Sequence, residues 1–172
     1  MSRFKASARP RPSAYDKALG LLARREHSLF ELRRKLGQGG YAADEIRQAL
    51  ERLDASPYQD DQRFGEALLR SRVQQGYGPM RIRVELRSHG LSDRIIAELL
   101  EEAAVDWDGL AQRQLIRHYG TEPAEEAVDR QRRAQYLQRR GFSAANIRAA
   151  GQRLEEAGTD DGMTFDASCF GE

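Results

Sequence analysis

The stretch Pro57–Leu91, PYQDDQRFGEALLRSRVQQGYGPMRIRVELRSHGL, decides the fold. It opens on a Pro-Tyr turn (Pro57, Tyr58) and the aspartate pair Asp60 and Asp61. A charged segment of helical spacing follows and breaks at Gly76-Tyr77-Gly78-Pro79. A second, arginine-dense segment then runs to Gly90. Taken alone, Arg81–Leu86 alternates and reads as a strand. Pro79 argues against that, because a proline has no N–H to donate and its fixed φ suits the first position of a helix. On the helical reading Ile82 and Leu86 point inward, whereas Arg83 and Arg87 form an outward stripe four residues apart. Asp60 and Asp61 then fall at the N-cap and first position of the preceding helix, where the helix dipole favours them.

Outward from this stretch the pattern recurs. Gly40, Gly90 and Gly141 stand 50 and 51 residues apart, each followed by a large apolar residue: Tyr41, Leu91 and Phe142. Ile46, Ile96 and Ile147 come five residues later, with Ser92 and Ser143 as N-caps for the helices holding the last two. Upstream, Leu36, Leu86 and Leu137 align, as do Ser28, Gly78 and Asp129, all residue types that tolerate an N-cap. This is an internal repeat of helix–turn–helix–turn–helix units. The predicted fold is all-α: three tandem three-helix repeats, about nine helices, in an elongated, curved arrangement with a concave binding surface. The expected organisation is a flexible basic arm (1–13), repeats over 14–56, 57–105 and 106–158, and an acidic tail (159–172).

Within the repeats the expected helices have individual signatures. Tyr15–Arg25 carries Leu19, Leu22 and Ala23 on one face. Ser28-Leu-Phe-Glu31 is a capping box, with Ser28 capping the next helix and Glu31 reaching back to the cap residue. Gly37, Gly39 and Gly40 stop that helix. Ala43–Asp54 places Ile46, Leu50 and Leu53 inward. Asp61–Val73 buries a stripe of Phe64, Ala67, Leu68 and Ser71. Trp107–Tyr119 has a weaker stripe of Leu110, Gln114, Leu115 and Arg117 to Tyr119. Gly120–Pro123 makes an extra turn, and 125–129 extends the following helix backward.

Composition narrows the function. The chain is 172 residues long, 32% charged and 40% hydrophobic, with a net charge of +1; its mean hydropathy is −0.74. So balanced a charge gives the whole molecule no strong pull toward nucleic acid, although a segregated basic face is compatible with it. A single cysteine, Cys169, allows neither an internal disulfide nor a cysteine metal site and fits a reducing compartment. No apolar run approaches the roughly 18 residues of a membrane span, and the basic N-terminus lacks the apolar core of a secretory signal. A cytoplasmic, monomeric protein is expected. His27, His89 and His118 fall in different repeats, without metal-binding spacing. The GQGG run at Gly37–Gly40 follows a helix and lacks the lysine of a phosphate loop. No catalytic, cofactor or metal constellation is found.

What remains is arginine. Arg63, Glu66 and Arg70 share a helix face, with Glu66 and Arg70 a favourable i,i+4 pair. Arg72, Arg81, Arg83, Arg87 and Arg94 add to the local charge. Such residues form either a solvated face or a guanidinium patch whose planar forks bind carboxylates or phosphates.

The residues Pro57-Tyr58-x-Asp60-Asp61-x-Arg63-Phe64, Arg70-x-Arg72, and Gly76-x-Gly78-Pro79-x-Arg81-Ile82-Arg83-x-Glu85-Leu86 with Gly90-Leu91 resemble the central signature of the RecX regulatory proteins. Arg139-Arg140-Gly141-Phe142-Ser143 with Ile147 resembles that family's C-terminal repeat. Leu22–Ser28 with Glu31-Leu32 and Lys35-Leu36 resembles its N-terminal one. The resemblance covers roughly 15–157; Leu91 stands where isoleucine is usual, a volume-conserving change. It implies a cytoplasmic, non-enzymatic modulator that binds the filament of RecA recombinase on single-stranded DNA. Such proteins suppress strand exchange, ATP hydrolysis and coprotease activity. The expected contact surface is the arginine set of the middle repeat, with the arm assisting. The rival expectation is direct binding to single- or double-stranded DNA. The net charge, and the lack of basic runs interleaved with aromatics, count against it.

Overall fold

The computed structural model describes residues 11–160. The basic residues of the arm before Arg11, and the tail from Asp161 with Phe165, Asp166, Cys169, Phe170 and Glu172, lie outside the described residues. Among the described residues the chain forms nine helices and no strand: α1 (Ala14–Leu22), α2 (Leu29–Gln38), α3 (Ala43–Asp54), α4 (Asp61–Gln74), α5 (Pro79–Ser88), α6 (Asp93–Glu102), α7 (Trp107–Tyr119), α8 (Ala127–Arg139) and α9 (Ala144–Asp160). The alternating segment Arg81–Leu86 is helix, started by Pro79, with Ile82 and Leu86 fully buried. The chain divides into two compact units, one reaching to Ala67 and including His89–Leu91, the other comprising Leu68–Ser88 and the residues from Ser92 onward.

In the first unit Leu32, Leu36 and Leu53 are wholly buried, with Ile46, Ala49 and Leu50 beside them. Ser28 caps α2, its hydroxyl accepting the Glu31 N–H at 3.1 Å. Here α1 departs from the expected stripe. Its buried residues are Ala14 and Ala18, while Leu19 and Leu22 are only half covered and Ala23 is exposed. Two alanines one turn apart let the helix axis approach closely, and the leucines pack around the edges. The helix also ends at Leu22, with Ala23 as its C-cap, three residues short of the expected Arg25.

In the second unit Leu110, Ala111, Leu115, Leu137, Phe142, Ala150 and Leu154 form the core. Gln114 is buried as expected, but Arg117 is exposed. It sits in the last turn of α7, where a cation faces the negative helix end and needs no burial. The helix α4 runs from the first unit, where Phe64 is buried, into the second, where Leu69 is; Ala67, Leu68 and Ser71 are half covered. Five residues of separation put Phe64 and Leu69 on different sides, so α4 is covered over a wider arc than one stripe. Asp129 is the third residue of α8 rather than its cap, and it accepts a hydrogen bond from Arg133 Nε at 2.8 Å. The helix starts earlier, so this carboxylate supports an i,i+4 pair.

Two turns dock on each other through backbone within the second unit. The Gly78 N–H donates to the Arg140 carbonyl and the Met80 N–H to the Gly141 carbonyl, both at 2.9 Å. Gly141 has φ +87°, and a Cβ on it would stand 2.5 Å from the Arg81 backbone nitrogen. A Cβ on Gly78 would stand 2.6 Å from the Phe142 nitrogen. Both positions therefore require glycine: one for its left-handed backbone and both for the closeness of the approach.

Candidate functional site

The aspartate pair of the opening stretch is structural. Asp60 Oδ1 accepts the N–H groups of Gln62 and Arg63 at 2.7 and 3.2 Å, capping α4. Asp61 Oδ1 accepts from the Leu29 N–H at 3.0 Å and from Gln59 Nε2 at 2.6 Å, so one carboxylate satisfies an orphan amide at the start of α2 as well. Arg63 is occupied too: its Nε lies 3.1 Å from Glu26 Oε1, and its terminal nitrogens donate to the carbonyls of Pro57 and Tyr58. Phe64 is buried with its ring 5.0 Å from that of His89. Tyr58 is exposed.

The capping box is only half realised. Instead of reaching back to the cap, Glu31 is buried beside two cationic groups and a histidine. Arg25 holds it with both terminal nitrogens at 2.6 and 3.0 Å, His27 Nδ1 lies 2.8 Å away, and Lys35 Nζ lies 3.9 Å away. Burial pushes the Glu31 carboxyl up, but the hydrogen bonds from Arg25 and His27 outweigh it and hold it at about 2. Burial lowers His27 despite Glu31 beside it, so the imidazole is neutral at pH 7.

In the second unit Arg72 and Glu85 form a two-pronged ion pair, Nε to Oε2 at 2.8 Å and a terminal nitrogen to Oε1 at 2.6 Å. The bond to Glu85 raises Arg72 further above the ordinary arginine value. Arg87 pairs with Asp93 and Arg94 with Glu98, both on exposed ground. Arg70 is exposed and engaged in an interaction of its own. Arg81 is exposed and Arg83 half covered, and neither forms an ion pair among the described residues. Beside them Met80 and Val84, one turn apart on α5, leave 53% and 64% of their surface open. The arginine set thus separates into two that knit the fold, Arg63 and Arg72, and a group on or beside α5 that faces solvent.

Around Tyr77 the second unit assembles a ladder the linear sequence did not reveal. The Arg81 guanidinium lies 4.3 Å from the centre of the Tyr77 ring, and that of Arg140 at 5.6 Å from it. Arg140 also lies 5.2 Å from the Tyr136 ring. His118 stacks on Tyr136 with ring centres 4.4 Å apart and planes within 1°. Tyr119 meets Tyr136 edge-on at 5.7 Å, and Arg133 sits 5.2 Å from the Tyr119 ring. The expectation that basic and aromatic residues do not interleave holds along the chain and fails in space. Its trace was there: Arg133 and Tyr136 on α8 and Arg140 at its C-cap stand at i, i+3 and i+7.

No group of three or more histidine, cysteine or acidic residues fit to hold a metal occurs among the described residues, and none of their helices is long and apolar enough to cross a membrane. The fold and surface define a tandem helical-repeat protein whose distinctive residues are structural turns and outward arginines. The family models for the first, second and third three-helix domains of RecX match residues 14–53, 60–100 and 108–150. The chain belongs to the RecX family. It is 43% identical over 141 residues to the regulatory protein RecX of Halorhodospira halophila (strain DSM 244 / SL1), covering 82% of this chain and 88% of that one. With the regulatory protein RecX of Xanthomonas oryzae pv. oryzae (strain MAFF 311018) it shares 42% identity over 135 residues, 78% of this chain and 84% of the other. The crystal structure of RecX from Lactobacillus salivarius has the same fold, with a TM-score of 0.68 at 22% identity over 83% of this chain and 95% of that one.

Proposed function

We propose that this protein binds the filament that RecA recombinase forms on single-stranded DNA and inhibits its recombinase, ATPase and coprotease activities. Recombinational repair and the SOS response would be tempered in this way. The observation that carries the reading is the match of all three repeats to the family's three domains. It acts as a monomeric, non-enzymatic binding protein of the cytoplasm. Arg81, Arg83 and Arg87 on α5 supply the contact, flanked by Arg70 and Arg94. Met80 and Val84 give the same face an apolar component, and aromatic or apolar groups beside arginine are what protein interfaces favour. Arg63 and Arg72 serve by holding α4 and α5 in place.

The test is RecA ATPase on single-stranded DNA, titrated with wild type and with the Arg81→Ala/Arg83→Ala/Arg87→Ala triple variant. Each charge-assisted hydrogen bond lost is worth about 1.5–3 kcal/mol. Half-maximal inhibition by the triple variant is therefore expected to need at least about tenfold more protein. The Arg87–Asp93 pair is exposed, so its loss costs little stability. Unchanged inhibition by a variant with an intact helical circular-dichroism spectrum would sink the assignment. Strong inhibition by wild type well below one molecule per RecA favours capping or disassembly of filaments over occupation of every groove.

A further inference from the structure

We propose that the acidic segment 161–172 folds back into the groove between α8 and α9 and covers its apolar floor. This goes beyond the RecA reading, and no step of it depends on a recombinase. The groove lies wholly within the second unit and has a volume of about 280 Å³. Leu115, Leu137 and Leu154 form its floor, and Ile147 lines its wall. It stays open because two positions along it are small, Ala134 on α8 and Gly151 on α9. Gly151 sits in mid-helix without positive φ, where alanine is the better residue. A Cβ there would meet nothing within 4 Å. Packing among the described residues thus gives no reason for a glycine at this position; a segment lying in the groove does.

The rim is cationic. Arg130 and Arg148 are exposed, and among the described residues they donate only to main-chain carbonyls: Arg130 to Ala124 and Glu125 at 3.1 and 2.6 Å, Arg148 to Ala144 at 3.3 Å. Glu155 also lines the groove and is already engaged. The occupant that suits this site is apolar toward the floor and acidic toward the rim. Segment 161–172 has that make-up: Met163, Phe165 and Phe170 alternate with Asp161, Asp166 and Glu172, with no lysine, arginine or histidine. A cavity of about 150 Å³ already accepts a benzene ring, so the groove takes a phenylalanine. The reach is sufficient. From Ile147 to the end of α9 at Asp160 is about 20 Å at about 1.5 Å per residue. Extended chain covers about 3.3–3.6 Å per residue. Phe165 therefore returns as far as Leu154, and Phe170 as far as Ile147. A separate protein of the same pattern lacks the tether, which holds the segment at an effective concentration in about the millimolar range. Once docked, the segment takes the floor and the rim arginines out of reach of other partners.

Cys169 lies in this segment and is the chain's single cysteine, so its thiol reports on the segment alone. The experiment follows the reaction of the native full chain with a chromogenic disulfide reagent. Wild type is expected to react about tenfold or more slowly than a free peptide of sequence 161–172, the protection that burial of one phenylalanine supplies. Two changes on the groove side, in other parts of the chain from Cys169, are each expected to speed the reaction at least about threefold. Gly151→Leu fills the groove from a position where a Cβ has room. Arg130→Ala/Arg148→Ala strips the rim of charge. Phe165→Ala is expected to do the same from the side of the segment. Wild type reacting as fast as the peptide overturns the proposal. So does an unchanged rate in both groove-side variants with an intact helical circular-dichroism spectrum. Protection that grows with protein concentration also overturns it, because the segment would then sit on a second copy.

Discussion

Replacing Gly141 by alanine is expected to be among the most destabilising single changes in the chain, about 3–5 kcal/mol, and far more costly than the same change at Gly40. Both residues hold left-handed backbone, φ +87° and +77°. That conformation alone costs an alanine about 1–2 kcal/mol. The sites differ in what a methyl group meets. At Gly40 the nearest atom is the tip of the Arg11 side chain, 3.9 Å away. At Gly141 the methyl runs into the backbone nitrogen of Arg81 at 2.5 Å, and backbone cannot rotate aside as a side chain can. Relief requires the α8–α9 turn to back away from α5. That breaks the hydrogen bonds from Gly78 to Arg140 and from Met80 to Gly141. Gly78→Ala isolates the second effect, because Gly78 lacks the positive φ yet faces the Phe142 nitrogen at 2.6 Å. Urea unfolding followed by circular dichroism should rank the losses Gly141→Ala largest, Gly78→Ala next and Gly40→Ala smallest. Equal losses at Gly141 and Gly40 would show that the turns are not held together as described.

The same residues explain why so much of the architecture could be read from the chain. The repeat is marked by its glycines and by Leu36, Leu86 and Leu137, which are wholly buried one turn before each of them. A left-handed turn and a core leucine are local requirements, so they leave a local imprint at fixed spacing. The surface chemistry leaves none. Arg63 and Arg72 look in sequence like any exposed arginine. Their partners Glu26 and Glu85 stand 37 and 13 residues away, and only the packed chain brings them together. Ala14 and Ala18 of α1 leave no mark in the pattern because hydrophobic periodicity gives weight to large side chains, whereas close helix contact selects small ones. The ladder was half legible: its α8 members share a face by spacing, but Tyr77, Tyr119 and His118 join them only through tertiary packing.

Glu31 shows how one pattern serves two structures, and its removal is the second large effect expected. An S-x-x-E sequence fits a capping box, in which the glutamate is exposed and expendable. It fits equally a buried carboxylate turned toward the incoming chain, which is what Arg25 and His27 make of it here. The two cases separate sharply on mutation. Loss of one side of an ordinary capping box costs about 1 kcal/mol. Glu31→Ala strips the partner from the exposed Arg25 guanidinium and removes the carboxylate beside the neutral, buried His27, and losing charge-assisted hydrogen bonds of this kind costs about 1.5–3 kcal/mol. The pH profile tests the assignment further. The folded carboxyl titrates at about 2 instead of 4.5, so its stabilisation is complete above the unfolded value. It is lost as pH falls from about 4.5 toward 2, about 3 kcal/mol in all. His27 is also lowered in the fold. Stability therefore begins to fall earlier, once pH drops below the unfolded histidine value of 6.5. Wild type should lose urea resistance in two stages, one beginning near pH 6.5 and one below 4.5. Glu31→Gln should start from lower stability at pH 7 and lack the lower stage. A Glu31→Gln curve superimposable on wild type down to pH 3 would return Glu31 to the role of an ordinary cap.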